Sequence, residues 1–111
     1  KMQVPSNGDA LVPGTDFNAT GDISCARSSG QPMGSCEFGV NREGNGDGFI
    51  SVFWPDGSMR VIFFEDGTPV YYAESQADGN AQMTTGKDSD LFIVTIGQER
   101  FEIPDAVING G

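Results

Sequence analysis

Phe49-Ile50-Ser51-Val52-Phe53-Trp54, Pro55-Asp56-Gly57-Ser58 and Met59-Arg60-Val61-Ile62-Phe63-Phe64 read as two short apolar runs around a turn. β-Branched and aromatic residues dominate both runs, and the Pro-Asp-Gly-Ser segment between them is turn chemistry. Together they predict a β-hairpin. Closing it about a four-residue turn sets Trp54 opposite Met59, Val52 opposite Val61 and Ile50 opposite Phe63. Those six side chains then share one face. The other face carries Ser51 and Arg60 among Phe49, Phe53, Ile62 and Phe64, and is less uniformly apolar.

The same grammar continues on both sides. Asp-Gly pairs stand at Asp47-Gly48, Asp56-Gly57, Asp66-Gly67 and Asp78-Gly79, a spacing that matches successive short antiparallel strands. The turn Glu65-Asp66-Gly67-Thr68 leads into Pro69-Val70-Tyr71-Tyr72, placing Val70 beside Phe63 and Tyr72 beside Val61. Leu91 to Ile96 meets Glu99 to Ile103 through Gly97-Gln98, a Gly-first loop suited to a type II′ turn. That hairpin pairs Phe92 with Ile103, Val94 with Phe101, Thr95 with Arg100 and Ile93 with Glu102. No stretch repeats apolar residues at helical spacing for three turns. The expected fold is all-β: a single antiparallel meander of six to seven strands with one disulfide, curled into a twisted sheet or small barrel.

Residues 1–22, with Pro5, Asn7-Gly8, Pro13-Gly14 and Asn18, read as a flexible arm or linker, and residues 23–111 as the β domain. Ile23 to Glu43 looks loop-rich, with Glu37-Phe38-Gly39-Val40 beginning the first clear strand. The opening Lys1-Met2-Gln3-Val4 looks like a mature or trimmed start without a signal peptide. No run approaches a membrane span.

Composition narrows the function classes. The chain has 111 residues, 16 Gly, 16 Asp plus Glu against 6 Lys plus Arg, and a net charge of −10. Such a surface repels phosphate backbones and anionic headgroups, which argues against nucleic acid and membrane docking. It suits either plain solubility or a basic partner protein, whose encounter the charge would speed. Cys25 and Cys36 are the two cysteines and histidine is absent. That set cannot build a four-ligand zinc site, and Cys-x-x-Cys spacing is missing. A Cys25–Cys36 disulfide is expected to contribute about 3 kcal/mol and to mark an oxidising compartment.

Candidate chemistry is sparse. Glu43-Gly44-Asn45-Gly46-Asp47-Gly48-Phe49-Ile50-Ser51 resembles the start of a calcium-binding EF-hand loop. It begins with Glu, has Trp54 where the closing carboxylate belongs, and lacks flanking helices, so a turn is the better reading. Without histidine, nucleophile triads lack their usual base. Neither a Gly-x-Ser-x-Gly elbow nor a phosphate-binding loop is present. The acids concentrate in predicted turns, where nothing sets a catalytic pair apart. Trp54, Tyr71 and Tyr72 are a candidate aromatic platform, although core packing is their commoner role. Asn18-Ala19-Thr20 fits a glycosylation sequon.

The segments Gly30-Gln31-Pro32-Met33-Gly34-Ser35-Cys36-Glu37-Phe38-Gly39-Val40 and Asn41-Arg42-Glu43-Gly44 resemble a group of small exported proteobacterial proteins without an assigned activity. So do Pro55-Asp56-Gly57, Ser75-Gln76-Ala77-Asp78-Gly79 and Glu99-Arg100-Phe101-Glu102-Ile103-Pro104-Asp105-Ala106-Val107-Ile108. Phe101 stands where that group leads one to expect tyrosine. The resemblance implies a bacterial, exported setting and brings no catalytic residue, cofactor or ligand. The functional expectation is therefore a non-catalytic periplasmic or extracellular accessory or protein-binding domain. Alternatives are an inhibitor of a cationic, lysozyme-like secreted enzyme or a structural envelope domain; a carboxylate-based hydrolase is weaker still.

Overall fold

Antiparallel strands, their inward and outward side chains alternating most regularly over residues 91–103, build the computed structural model, which describes residues 10–74 and 79–110. Residues 1–9 of the expected arm and Asp78 of the fourth Asp-Gly turn lie outside the described residues. The strands are β1 (Ala19–Ala26), β2 (Gly34–Gly44), β3 (Asp47–Phe53), β4 (Met59–Glu65), β5 (Thr68–Tyr72), β6 (Met83–Asp88), β7 (Leu91–Ile96) and β8 (Glu99–Pro104). One short helix, α1 (Ala106–Asn109), follows. The fold is all-β and antiparallel, as the turn spacing implies.

Two features differ from expectation. The described residues form eight strands, and the sheet order β5-β4-β3-β2-β1-β8-β7-β6 makes two meanders joined by pairing of β1 with β8. The strands the sequence did not indicate are β1, which runs into the segment expected to be loop-rich, and β6. In β1, Ile23 and Cys25 turn inward, while its backbone is paired on both sides by β2 and β8. Two-sided hydrogen bonding and the disulfide hold a strand whose own β propensity is poor. β1 also starts at Ala19, so the boundary expected at residue 22 falls inside a strand. Before it, the Phe17 ring packs over Gly39, where a Cβ would lie 2.4 Å from the ring.

The sheet curls until its edges meet. The Tyr72 hydroxyl donates to the Ala81 carbonyl at 2.6 Å, and the Thr85 hydroxyl donates to the Pro69 carbonyl at 3.4 Å. The result is a near-barrel whose seam, between β5 and β6, is bridged by these side chains. Pro69 on one edge and the exposed polar row of β6 on the other protect that seam from pairing with foreign strands. At one end α1 buries Val107 and Ile108, and the Arg42 Nε donates to the Val107 carbonyl at 2.9 Å.

Registers decide which residues fill the barrel. The β7–β8 hairpin has the expected pairs, and Gly97 takes a positive φ of 60°. The β3–β4 hairpin differs by one residue: Val52 pairs with Arg60, Ile50 with Ile62 and Phe53 with Met59. Its loop holds three residues rather than four. Trp54 N–H donates to the Ser58 carbonyl at 2.8 Å, leaving Pro55, Asp56 and Gly57, with Gly57 at φ 93°. Three-residue loops of this kind close with a left-handed glycine. A one-residue slip exchanges the faces of a strand. Ile62 and Phe64 are therefore buried, whereas Met59 is exposed and Val61 and Phe63 are half-covered. On β5, Tyr72 consequently pairs with Ile62 rather than Val61, and Val70 is exposed.

The core runs the length of the barrel. Val40, Ile50, Val52, Ile62, Val94, Phe101 and Ile103 are fully enclosed. Phe101 sits at 5.4 Å from Trp54, and Phe64 meets Phe92 edge-on at 6.0 Å.

Candidate functional site

The sequence motifs scatter once folded. Cys25 and Cys36 form the expected disulfide, crossing diagonally between β1 and β2 with Cα atoms 6.0 Å apart. Tyr71 and Tyr72, adjacent in a strand, face opposite ways: Tyr72 enters the barrel near Trp54's end, while Tyr71 is half exposed outside. The three-residue aromatic platform is not assembled. Asn18 of the sequon is engaged in the fold, its Oδ1 accepting from the Arg42 N–H at 2.7 Å and its Nδ2 donating to the Ala10 carbonyl.

The calcium-like segment is a hairpin. Asn45 and Gly46 have φ of 61° and 81°, and Asp66 and Gly67 have 52° and 79°, the paired left-handed values of type I′ turns. The two hairpin tips dock on each other. Gly67 N–H donates to the Gly46 carbonyl at 2.8 Å, and Asp66 N–H donates to Asp47 Oδ1 at 3.0 Å. Gly46 is required there, since a Cβ would stand 2.3 Å from the Gly67 nitrogen. Among the described residues, no three Cys, Asp or Glu side chains gather closely enough to share a metal ion.

That docking shapes a cleft of about 560 Å³ on the outside of β3, β4 and β5. Its wall is aromatic. Phe49 lies 5.8 Å from Phe63, and Phe63 stacks on Tyr71 at 4.7 Å with 20° between the ring planes. Its rim holds Glu43, Asp47, Glu65 and Asp66, and no lysine or arginine among the described residues lines it. General-acid chemistry calls for a carboxyl shielded from water, and Glu43, Glu65 and Asp66 are exposed. What the arrangement offers is attraction and stacking for a cation.

Elsewhere on the molecule, aromatic rings beside carboxylates already hold the chain's own cations. The Arg27 guanidinium lies 4.6 Å from the centre of the Trp54 ring and binds Asp56 at 2.9 Å. Arg60 lies 5.2 Å from the Tyr72 ring and binds Glu99 at 2.7 Å, both side chains being mostly buried. Lys87 lies 4.5 Å from the Phe92 ring, with Asp105 at 3.4 Å. Ring, carboxylate and cation form one repeated unit. The outer cleft has the first two.

Asp56 couples one of these units to the β3–β4 turn. The Ser58 hydroxyl and Ser58 N–H donate to Oδ1 at 2.7 and 2.9 Å, and Arg27 binds Oδ2. These donors, the serine hydroxyl foremost, hold its carboxyl well below the usual carboxylate range. A folded-state value below the unfolded one adds stability above the unfolded value of about 3.9, lost as pH falls toward the folded one. Asp56→Asn is expected to lower the melting temperature at pH 7, with the gap from the parent narrowing steadily below about pH 3.9. Thermal melts from pH 7 to pH 2 check this; a gap that stays constant contradicts it.

The aromatic wall was hidden because the slipped register placed Phe63 inside. A usable signal was present all the same. Antiparallel strands with one wet face should alternate apolar and polar residues, yet Phe49, Phe53, Val61 and Phe63 add a second apolar row to β3 and β4. No family model matches this chain, and neither a curated protein nor a solved structure matches it.

Proposed function

We propose that this domain is a non-catalytic binding module that works outside the reducing cytosol and holds a basic partner protein against the outer face of β3–β5. One observation carries the reading: an aromatic-walled cleft rimmed by four carboxylates and, among the described residues, lined by no cation. The net charge of −10 supports it by steering basic partners toward the surface. The Cys25–Cys36 bridge supports an extracytoplasmic, exported setting, where disulfides persist. An apolar strip continues from the cleft, with Met59 and Tyr71 about half exposed. Exposed apolar surface of this kind, with a polar rim, is common at protein interfaces. A lysozyme-like hydrolase is one member of the basic secreted class that such a surface could inhibit.

The test is direct binding of the purified domain to a panel of basic secreted proteins, lysozymes included, between 50 mM and 500 mM salt. The expected result is binding that weakens as salt rises and falls at least tenfold in a Glu43→Gln/Glu65→Gln/Tyr71→Ala variant. Absence of binding across the panel, or equal binding by the variant, overturns the proposal.

A further inference from the structure

We infer that the partner group seated in this cleft is an arginine side chain, presented by the basic protein whose binding is proposed above. The inference rests on that reading and sharpens it to one functional group. The observation behind it is the repeated unit of ring, carboxylate and cation. Trp54 with Asp56 takes Arg27, Tyr72 with Glu99 takes Arg60, and Phe92 with Asp105 takes Lys87. In each case the chain supplies the cation. At the outer cleft, Phe49, Phe63 and Tyr71 supply rings and the docked hairpin tips supply carboxylates, but no cation among the described residues lines it. The fourth unit is complete only when a second molecule adds one.

Arginine fits better than lysine for reasons of shape. A guanidinium is flat, so it stacks on a ring while its five N–H donors spread outward in a fixed fork. Carboxylates from two separate hairpin tips, Glu43 and Asp47 on one and Glu65 and Asp66 on the other, line the cleft and offer such a fork more than one acceptor. An ammonium is a compact, strongly hydrated point charge that engages fewer of them. One arginine unit within the chain has this plan: Arg27 lies over Trp54 while its two terminal nitrogens reach Asp56 and Ser58.

Other occupants match the cleft less well. A second copy of this chain would bring another −10 of charge to a rim of acids. A bare divalent ion would leave the aromatic wall unused, and among the described residues no three carboxylates gather closely enough to share one.

The probes are three capped pentapeptides, Gly-Ser-X-Ser-Gly, with arginine, lysine or citrulline at X, titrated into ¹⁵N-labelled domain and followed by NMR. Citrulline keeps the shape of arginine and removes its charge. The arginine peptide is expected to shift the amides of Gly48, Glu65, Gly67 and Tyr71 and to bind several-fold tighter than the lysine peptide. The citrulline peptide is expected to bind about tenfold more weakly than arginine, as is the arginine peptide to Tyr71→Ala, while Tyr71→Phe retains most of the affinity. Tyr71 is half exposed, so an unchanged spectrum away from the cleft shows that the variant folds. Equal binding of arginine and lysine, or shifts confined to another surface, overturns the arginine assignment while leaving the basic-partner reading standing. Failure of every basic protein in the panel overturns that reading and this inference together. Shifts on adding millimolar calcium at the same amides, with none from arginine, also overturn the inference.

Discussion

Phe101→Ala is expected to cost about 3–5 kcal/mol, the usual range for removing a fully enclosed phenylalanine. Phe101 is completely buried on β8, pairs across the strand with Val94 and packs on Trp54 at 5.4 Å. Its removal leaves a cavity mid-barrel, bordered by strands that hydrogen bonding on both sides keeps from collapsing inward. A domain of this size commands only about 5–15 kcal/mol in total, so the melting temperature should fall by roughly 15–25 °C. Thermal and urea melts measure it. The internal control is Met59→Ala, exposed on the opposite face of β4 from Ile62, which should change stability by no more than about 0.5 kcal/mol. A large loss at Met59 would restore the four-residue loop and the opposite facing of β4.

The second large effect belongs to the disulfide. Cys25→Ala/Cys36→Ala should cost about 3 kcal/mol, because the bridge spans 11 positions and limits the unfolded chain to conformations that keep that loop closed. The loss falls on a vulnerable place. β1 contributes Ile23 and Cys25 to the core and also joins the two meanders through its pairing with β8. If β1 frays, the barrel comes apart into β2–β5 and β6–β8. Reduced parent protein should match the double variant in a urea melt. Equal stability of the oxidised parent and the variant would show that pairing of β1 between its neighbours suffices without the bridge.

Particular residues show where sequence reasoning succeeds. The β7–β8 register was legible because Gly97-Gln98 permits a short, well-defined loop and Thr95, Arg100 and Glu102 mark the outward face. The β3–β4 register was not, because both faces of Phe49–Phe53 and Met59–Phe64 are apolar. Alternation then gives no preference between two pairings one residue apart, and the loop geometry decides. Asp56, bonded to Ser58 and Arg27, holds that loop at three residues. Arg27 is 29 positions away from Asp56 in the chain, a separation that local turn rules do not span.

The candidate site divides in the same way. One of its turns was legible as Asp66-Gly67 and Tyr71 as an aromatic of interest, whereas the turn expected at Asp47-Gly48 falls two residues earlier, at Asn45-Gly46, with Asp47 opening β3. The cleft itself was not, since it exists only where the two hairpin tips meet through Gly46, Asp47, Asp66 and Gly67.

By itself the sequence determined the all-β class, the positions of most turns, the single cross-link and the acidic surface, all of which follow from local backbone preference, composition or proximity along the chain. Only the tertiary structure decided that β1 joins two meanders, that β4 turns Ile62 inward and Phe63 outward, and that rings and carboxylates from separate hairpins share one cation-free cleft. Those outcomes depend on contacts between residues far apart in the chain, where curvature of the sheet and one-residue choices of register determine which side chains meet.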